Sequence, residues 1–162
     1  MYPSFIVEYG VAPHHLSKQV FVGIVKWLRE TRVEAKHTGR KLEADALKIV
    51  INRIYGALND AMDYLYDPEC TYTVTINLQL LLCGLIEAFE LNNFDVLSAN
   101  TDGLLVRLPL NRQGVFKHIC NEWSAYSKLD LETEKFEKYC RSAVNDYIAV
   151  GYGFYDALQE YN

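Results

Sequence analysis

Sulfur is too scattered in this chain to suggest a metal site. Cys70, Cys83, Cys120 and Cys140 include no C-x-x-C pair and no ordered histidine spacing, so a zinc site built on sulfur ligands is not expected. Isolated thiols of this kind suit a reducing compartment, where they act as small core residues. No uninterrupted apolar run reaches the roughly 18 residues of a membrane span. The longest, around 80–86, contains Gly84 and ends at Glu87. Nothing resembles a signal peptide, and the expectation is a soluble, cytoplasmic chain without a membrane partner. A Walker loop, a G-x-S-x-G elbow and a Ser-His-Asp arrangement are all missing. So are internal repeats and flexible linkers.

A basic excess is missing too. The 162 residues carry 16 Lys+Arg against 21 Asp+Glu, a net charge of −5, which argues against a freestanding basic DNA binder. The distribution is uneven. Residues 1–60 have a net charge of +3 and residues 61–162 a net charge of −8, with all nine basic residues of the first segment between Lys18 and Arg53. One part of the molecule is suited to meet an anion and another to hold cations. Half of the residues are hydrophobic and 23% are charged, so a packed core is expected.

Periodicity gives the elements. Residues 2–13, bracketed by Pro3 and Pro13, read as extended. Ser17 is a candidate N-cap for a helix over about 17–36, with Phe21, Ile24, Val25 and Leu28 at helical spacing. A turn at 37–40 leads to a second helix over about 42–58, striped by Leu47, Ile51, Ile54 and Leu58. Two helices joined so tightly form an antiparallel hairpin. Asp67-Pro68-Glu69 reads as a break before a third helix over about 75–90, apolar almost all round and expected to be the most buried element. Strands at 94–100 and 104–109 flank Asp102-Gly103, a hairpin signal. A fourth helix follows at about 114–126, then strand candidates from Leu129 to Glu134 and at 144–150. The fold class is α+β: a small antiparallel sheet packed on helices, with a protruding basic two-helix hairpin.

The second helix carries the most chemistry. Lys48, Asn52, Tyr55 and Asn59 line a polar face beside the apolar stripe. Lysine neutralises a phosphate as a point charge, and an aromatic ring suits a base or sugar. On the first helix Arg29, Arg32 and Lys36 share one side, so the two faces suit a polyphosphate between them. A solvated basic face is the bland alternative. Asp102 at the tip of a rigid turn is placed to hold Mg²⁺, although Asp-Gly turns need no function. His14 and His15 have no third ligand and read as turn residues. His118 and Cys120 do not share a helix face. Glu132, Glu134 and Glu137 read as solvated.

Three segments in order resemble the palm and fingers of a family B DNA polymerase in a phage-like form. Tyr2-Pro3-Ser4 resembles the end of the motif D-x-x-S-x-Y-P-S. Lys48 to Gly56 (Lys-Ile-Val-Ile-Asn-Arg-Ile-Tyr-Gly) resembles K-x-x-x-N-S-x-Y-G, with Arg53 in place of serine. Ser98 to Gly103 (Ser-Ala-Asn-Thr-Asp-Gly) resembles Y-x-D-T-D-S, with Asn100 in place of the first aspartate.

The resemblance implies palm at 1–16 and 61–162 and fingers at 17–60, with exonuclease and thumb domains absent. It also implies roles. Tyr2 would stack under the incoming sugar, and Arg32, Lys36 and Lys48 would hold the triphosphate. Asn52 and Tyr55 would line the base-pair pocket, and Gly56 would admit the template. Asp102, with Asn100, would bind the two Mg²⁺ ions of nucleotidyl transfer. Tyr147 would be the remnant of the K-K-R-Y primer contact, read here as Val144-Asn145-Asp146-Tyr147. The partners would be primer-template DNA and deoxynucleoside triphosphates, with the missing first-motif aspartate supplied either by upstream sequence or by a second polymerase chain that also brings the thumb. Without that aspartate the isolated chain is expected not to polymerise DNA. A non-catalytic nucleotide- or DNA-binding relic and an α+β interaction module are the competing readings.

Overall fold

A computed structural model describes residues 1–100, 103–143 and 146–151. They form two units, Met1–Leu129 and a second that begins at Asp130. In the first unit the elements run α1 (Tyr2–Tyr9), α2 (Lys18–His37), α3 (Lys41–Ala57), α4 (Pro68–Leu91), β1 (Val96–Ala99), β2 (Leu104–Val106), a 3-10 turn (Leu110–Arg112) and α5 (Gln113–Ser127). The second unit is a hairpin of β3 (Phe136–Ala143) and β4 (Asp146–Gly151). The α+β reading holds, with two separate two-stranded antiparallel sheets in place of the one expected.

The first correction is at the start of the chain. Residues 2–13 are not extended: Tyr2–Tyr9 is helical, with Pro3 in its first turn. Proline is tolerated there because that turn's N–H groups lack helical partners and its fixed φ already suits a helix. Gly10 ends the helix at φ 62°, and its amide returns to the Ile6 carbonyl. Phe5 and Ile6 are buried, and the Phe5 and Tyr9 rings stack one turn apart at 4.4 Å. Tyr9 Oη donates to the Ser127 carbonyl at 3.0 Å, tying α1 to the end of α5.

Helices α2 and α3 pack together as the expected hairpin. Ser17 is the N-cap of α2 by position, although its side chain makes no capping bond. Phe21, Val25 and Leu28 are buried with Ala35, whereas Ile24 lies outside the core, 49% exposed. The turn between the helices uses Gly39 at φ 73°. Arg40 braces it, donating to Thr38 Oγ1 at 2.9 Å and to Glu43 at 2.8 Å. On α3, Ile51 is buried and Leu47 and Ile54 are half-buried, and Leu58, just past its end, is buried, as the stripe required.

Helix α4 begins a full turn and more before the expected residue 75. What reads as a break is a start signal: Asp67 is the N-cap, Pro68 opens the helix and Glu69 lies in its first turn. Cys70, Thr71, Val74, Leu78, Leu82, Leu85 and Phe89 form its buried face. The opposite face is not covered within the described residues: Tyr72, Ile76 and Leu80 are exposed. The helix is the core's main element but is buried on one side only. With 24 residues and a mean hydropathy of 1.6 over its most apolar window, it is long and apolar enough to cross a membrane by length and composition. Its buried face packs on α1 and α5.

Trp123 on α5 donates its indole N–H to the Leu81 carbonyl at 2.8 Å. The β1–β2 hairpin pairs Ala99 with Leu104 and Val96 with Val106. Its tip residues Thr101 and Asp102 lie outside the described residues. In the second unit the strand expected from Leu129 to Glu134 is absent. Leu129 is buried in the first unit, and strand pairing starts only at Phe136, where β4 offers a partner. Alternation without a neighbouring strand makes no ladder. The strand expected at 144–150 is realised as β4, with 144 and 145 outside the described residues.

Candidate functional site

Two tyrosines from separate motifs meet. Tyr2, at the start of α1, stacks on Tyr55, in the last turns of α3, with ring centroids 4.2 Å apart and an interplanar angle of 13°. Packing of α1 on α3 brings residues 53 positions apart in sequence into face-to-face contact. Both side chains are half-buried. Each ring can offer its remaining face or edge to a planar or sugar ligand.

Tyr55 is held from its other end by a residue that sequence reasoning missed. Its hydroxyl bonds Thr75 Oγ1 of α4. Thr75 Oγ1 in turn donates to the Thr71 carbonyl at 2.8 Å. A hydroxyl has one proton, so Tyr55 must be the donor in its bond to Thr75. No local signal marks Thr75, because its importance depends on α3 and α4 lying side by side. Thr75→Val keeps the shape and removes the acceptor. It is expected to lower stability by about 1 kcal/mol, read as a reduced urea midpoint at unchanged m-value.

The basic residues fall on the helices expected for them. Arg32 and Lys36 lie one turn apart on α2, while Lys48 and Asn52 lie one turn apart on the exposed side of α3. Arg32 is half-buried, and its Nε is enclosed with no hydrogen-bond partner among the described residues. Buried polar atoms in native proteins are nearly always paired, so such a donor marks a place where an acceptor is expected. Gly56 faces open space: a Cβ built there meets nothing within 4 Å. A depression of about 450 Å³ on α2, lined by Arg29, Glu30, Val33, Glu34 and His37, mixes both charge signs and does not include the tyrosine pair.

Arg53, where the motif has serine, has a structural use. Its Nη2 bonds Asp63 at 2.8 Å and reaches Asp60 at 3.5 Å, pinning the connector after α3. Asn100 is exposed at the end of β1, and its amide donates to the Gly103 carbonyl at 2.8 Å. Asp102 lies outside the described residues. Among the described residues no three His, Cys, Asp or Glu side chains gather to hold a metal ion. Asn100 alone, a neutral ligand, does not make a Mg²⁺ site. Tyr147 on β4 is exposed, stacks on Tyr139 at 5.2 Å and lies opposite Arg141.

His14 and His15 do more than turn the chain. The His14 amide and its ring Nδ1 each lie 2.8 Å from Asp67 Oδ2. Asp67 Oδ1 accepts from the Cys70 amide at 2.9 Å. Burial raises the Asp67 pKa, but the bonds from Cys70 and His14 and the imidazolium charge outweigh it and hold the carboxyl at about 2. His14 is raised in turn, first by its hydrogen bond to Asp67, then by the charges of Asp67 and Glu69. His118 pairs with Glu122 at 3.4 Å across one helical turn, not with Cys120.

Over 77 residues, 48% of its length, the chain is 31% identical to DNA polymerase II of Escherichia coli strain K12. Its fold is similar to that of the family B DNA polymerase of the hyperthermophilic archaeon Pyrobaculum calidifontis, with a TM-score of 0.67 and 17% identity over 94% of this chain. This is the fold of part of a family B DNA polymerase. The chain spans 10% of the length of the Escherichia coli polymerase and 25% of the archaeal polymerase chain. No protein-family model matches it. The chain places Tyr2, Arg32, Lys36, Lys48, Asn52 and Tyr55 on three mutually packed helices, α1, α2 and α3.

Proposed function

We propose that this chain is the nucleotide-binding part of a DNA-directed DNA polymerase acting in DNA replication, with palm at 1–16 and 61–162 and fingers at 17–60. The observation that carries the reading is the Tyr2–Tyr55 stack, which joins two motifs that the sequence keeps apart. In this reading the deoxynucleoside triphosphate lies against α2 and α3. Lys48 and Lys36 neutralise its phosphates as point charges, and the Arg32 guanidinium donates to a phosphate oxygen. The tyrosine pair flanks the sugar and base, with Asn52 beside it and Gly56 leaving room for the template. Primer-template DNA is the second substrate, and Tyr147 is its proposed contact. Asp102 and Asn100 are assigned to Mg²⁺. Among the described residues no cluster of carboxylates forms that site. A second chain completing the site and a cytoplasmic location, host cytoplasm for a phage protein, belong to the same reading.

Binding of a fluorescent deoxynucleoside triphosphate to the purified chain tests it. Lys48→Ala is expected to weaken binding by about tenfold, the scale of one charge-assisted phosphate contact. Binding unmoved by Lys48→Ala, or no binding at all, would sink the proposal. Binding with no primer extension in the presence of any complementing chain would favour the non-catalytic relic, the reading that Asn100 at a metal-ligand position supports.

A further inference from the structure

The nucleotide site leaves unexplained why two adjacent histidines both reach across to the segment that follows α3. Helix α2 starts at Lys18, three residues after His15, and α3 ends at Ala57. The connector between α3 and α4 is closed on itself by the Asp67 amide donating to the Leu58 carbonyl at 2.9 Å, and Arg53 pins it from α3. His15 Nε2 bonds the Tyr64 carbonyl of this connector at 2.8 Å, and the two rings meet edge to face at 5.5 Å. His14 bonds Asp67 at its end through both backbone and ring. These contacts bridge the open end of the α2–α3 hairpin, opposite the turn at Gly39.

We propose that His14 and His15 are positioning residues that clasp this open end, and that protonation of His14 tightens the clasp and with it the grip of α2 and α3 on a nucleoside triphosphate. The inference rests on the proposed nucleotide site. Geometry sets the direction of the effect. His14 Nδ1 must carry a proton to donate to the Asp67 carboxylate, and a backbone carbonyl can only accept, so His15 bonds through Nε2–H. Neutral His14 then has a lone pair on Nε2, which lies 3.9 Å from the Glu69 carboxylate. Protonation turns that nitrogen into a donor facing an anion. Asp67 and Glu69 at the start of α4 are the charged groups that face the ring, and both favour the imidazolium. The Cys70 thiol, pushed up to about 11 by burial and then by Asp67, stays neutral throughout the relevant range. The part of the clasp that depends on the imidazolium charge is therefore full below the ordinary histidine value of 6.5 and is lost as pH rises through the higher folded value.

The test measures affinity for a fluorescent deoxynucleoside triphosphate at pH about 6 and about 8.5 on the full chain and on His14→Asn, which keeps the backbone bond and cannot titrate. Wild type is expected to lose about threefold in affinity on going to the higher pH, the scale of a partly exposed ion pair. His14→Asn is expected to bind at the weaker level at both values, beyond any change from the nucleotide's own phosphate. An equal pH response in both proteins overturns the proposal. Amide exchange at His14 and Cys70, whose N–H groups both bond Asp67, gives a readout that needs no nucleotide. Extra protection at low pH in wild type and not in His14→Asn supports the clasp even where nucleotide binding fails, and its absence overturns the clasp while leaving the nucleotide site standing.

Discussion

Replacing Phe89 with alanine is expected to destabilise the first unit by about 3–5 kcal/mol, the usual range for a fully buried phenylalanine. The ring is 2% exposed and lies where three elements meet. It stacks on Phe116 of α5 at 5.2 Å and meets Phe94, just ahead of β1, edge to face at 5.6 Å. Phe94 is itself covered by the Arg112 guanidinium, 4.3 Å from the ring centroid, and Arg112 donates to the Asn92 and Asn93 carbonyls that follow α4. The cluster joins the end of α4 to both the hairpin and α5. A cavity here removes transfer energy and strips Phe94 and Phe116 of their contacts with the Phe89 ring. A drop of about 10 °C or more in the thermal midpoint is expected by calorimetry. Phe89→Leu, which fills most of the volume, should cost much less. A near-native midpoint for the alanine variant would mean that the cluster is not the core it looks to be.

The second large effect is expected at Asp67. The side chain is buried and accepts three bonds, from the amides of Cys70 and His14 and from the His14 ring. Asp67→Ala removes the N-cap of α4 and leaves both amides and the imidazole without their acceptor. A loss of about 2–3 kcal/mol is expected at pH about 6 from the cap and the charged bonds together. The pH dependence has a definite sign. The folded Asp67 value of about 2 lies below its ordinary 3.8, so its contribution is present above 3.8 and fades as pH falls toward 2. His14, whose folded value is raised, adds a contribution that fades in the opposite direction, as pH rises past 6.5. The gap between wild type and Asp67→Ala should therefore be widest between about pH 4 and 6.5 and narrow on both sides. Urea unfolding across that range measures it. A gap constant down to pH 2 would show that the Asp67 charge contributes nothing.

Much of this molecule is legible one residue at a time. The periodicities of 17–36 and 42–58 mark α2 and α3 to within a residue at each end, because helix boundaries follow from side chains a few positions apart. The Lys48, Asn52, Tyr55 column and the Asp-Gly turn are local patterns of the same kind, and their order along the chain carries the polymerase resemblance. Where two local signals conflicted, the sequence misled. Pro3 read as bounding an extended run and Pro68 as a break, yet each sits in the first turn of a helix, the one place where a missing N–H costs nothing. The strand pattern after Leu129 found no partner, and alternation alone does not make a sheet.

What the sequence could not carry was any relation across distance. Tyr2 on Tyr55, Tyr55 on Thr75 and His14 on Asp67 join residues 20 to 53 positions apart. The reason is physical: a contact between distant residues exists only once burial of one face of α4, against α1 on one part and α5 on another, has set the position of every helix around it. Composition and spacing determined which side chains could bind a phosphate or stack on a ring. Packing alone decided which of them stand together.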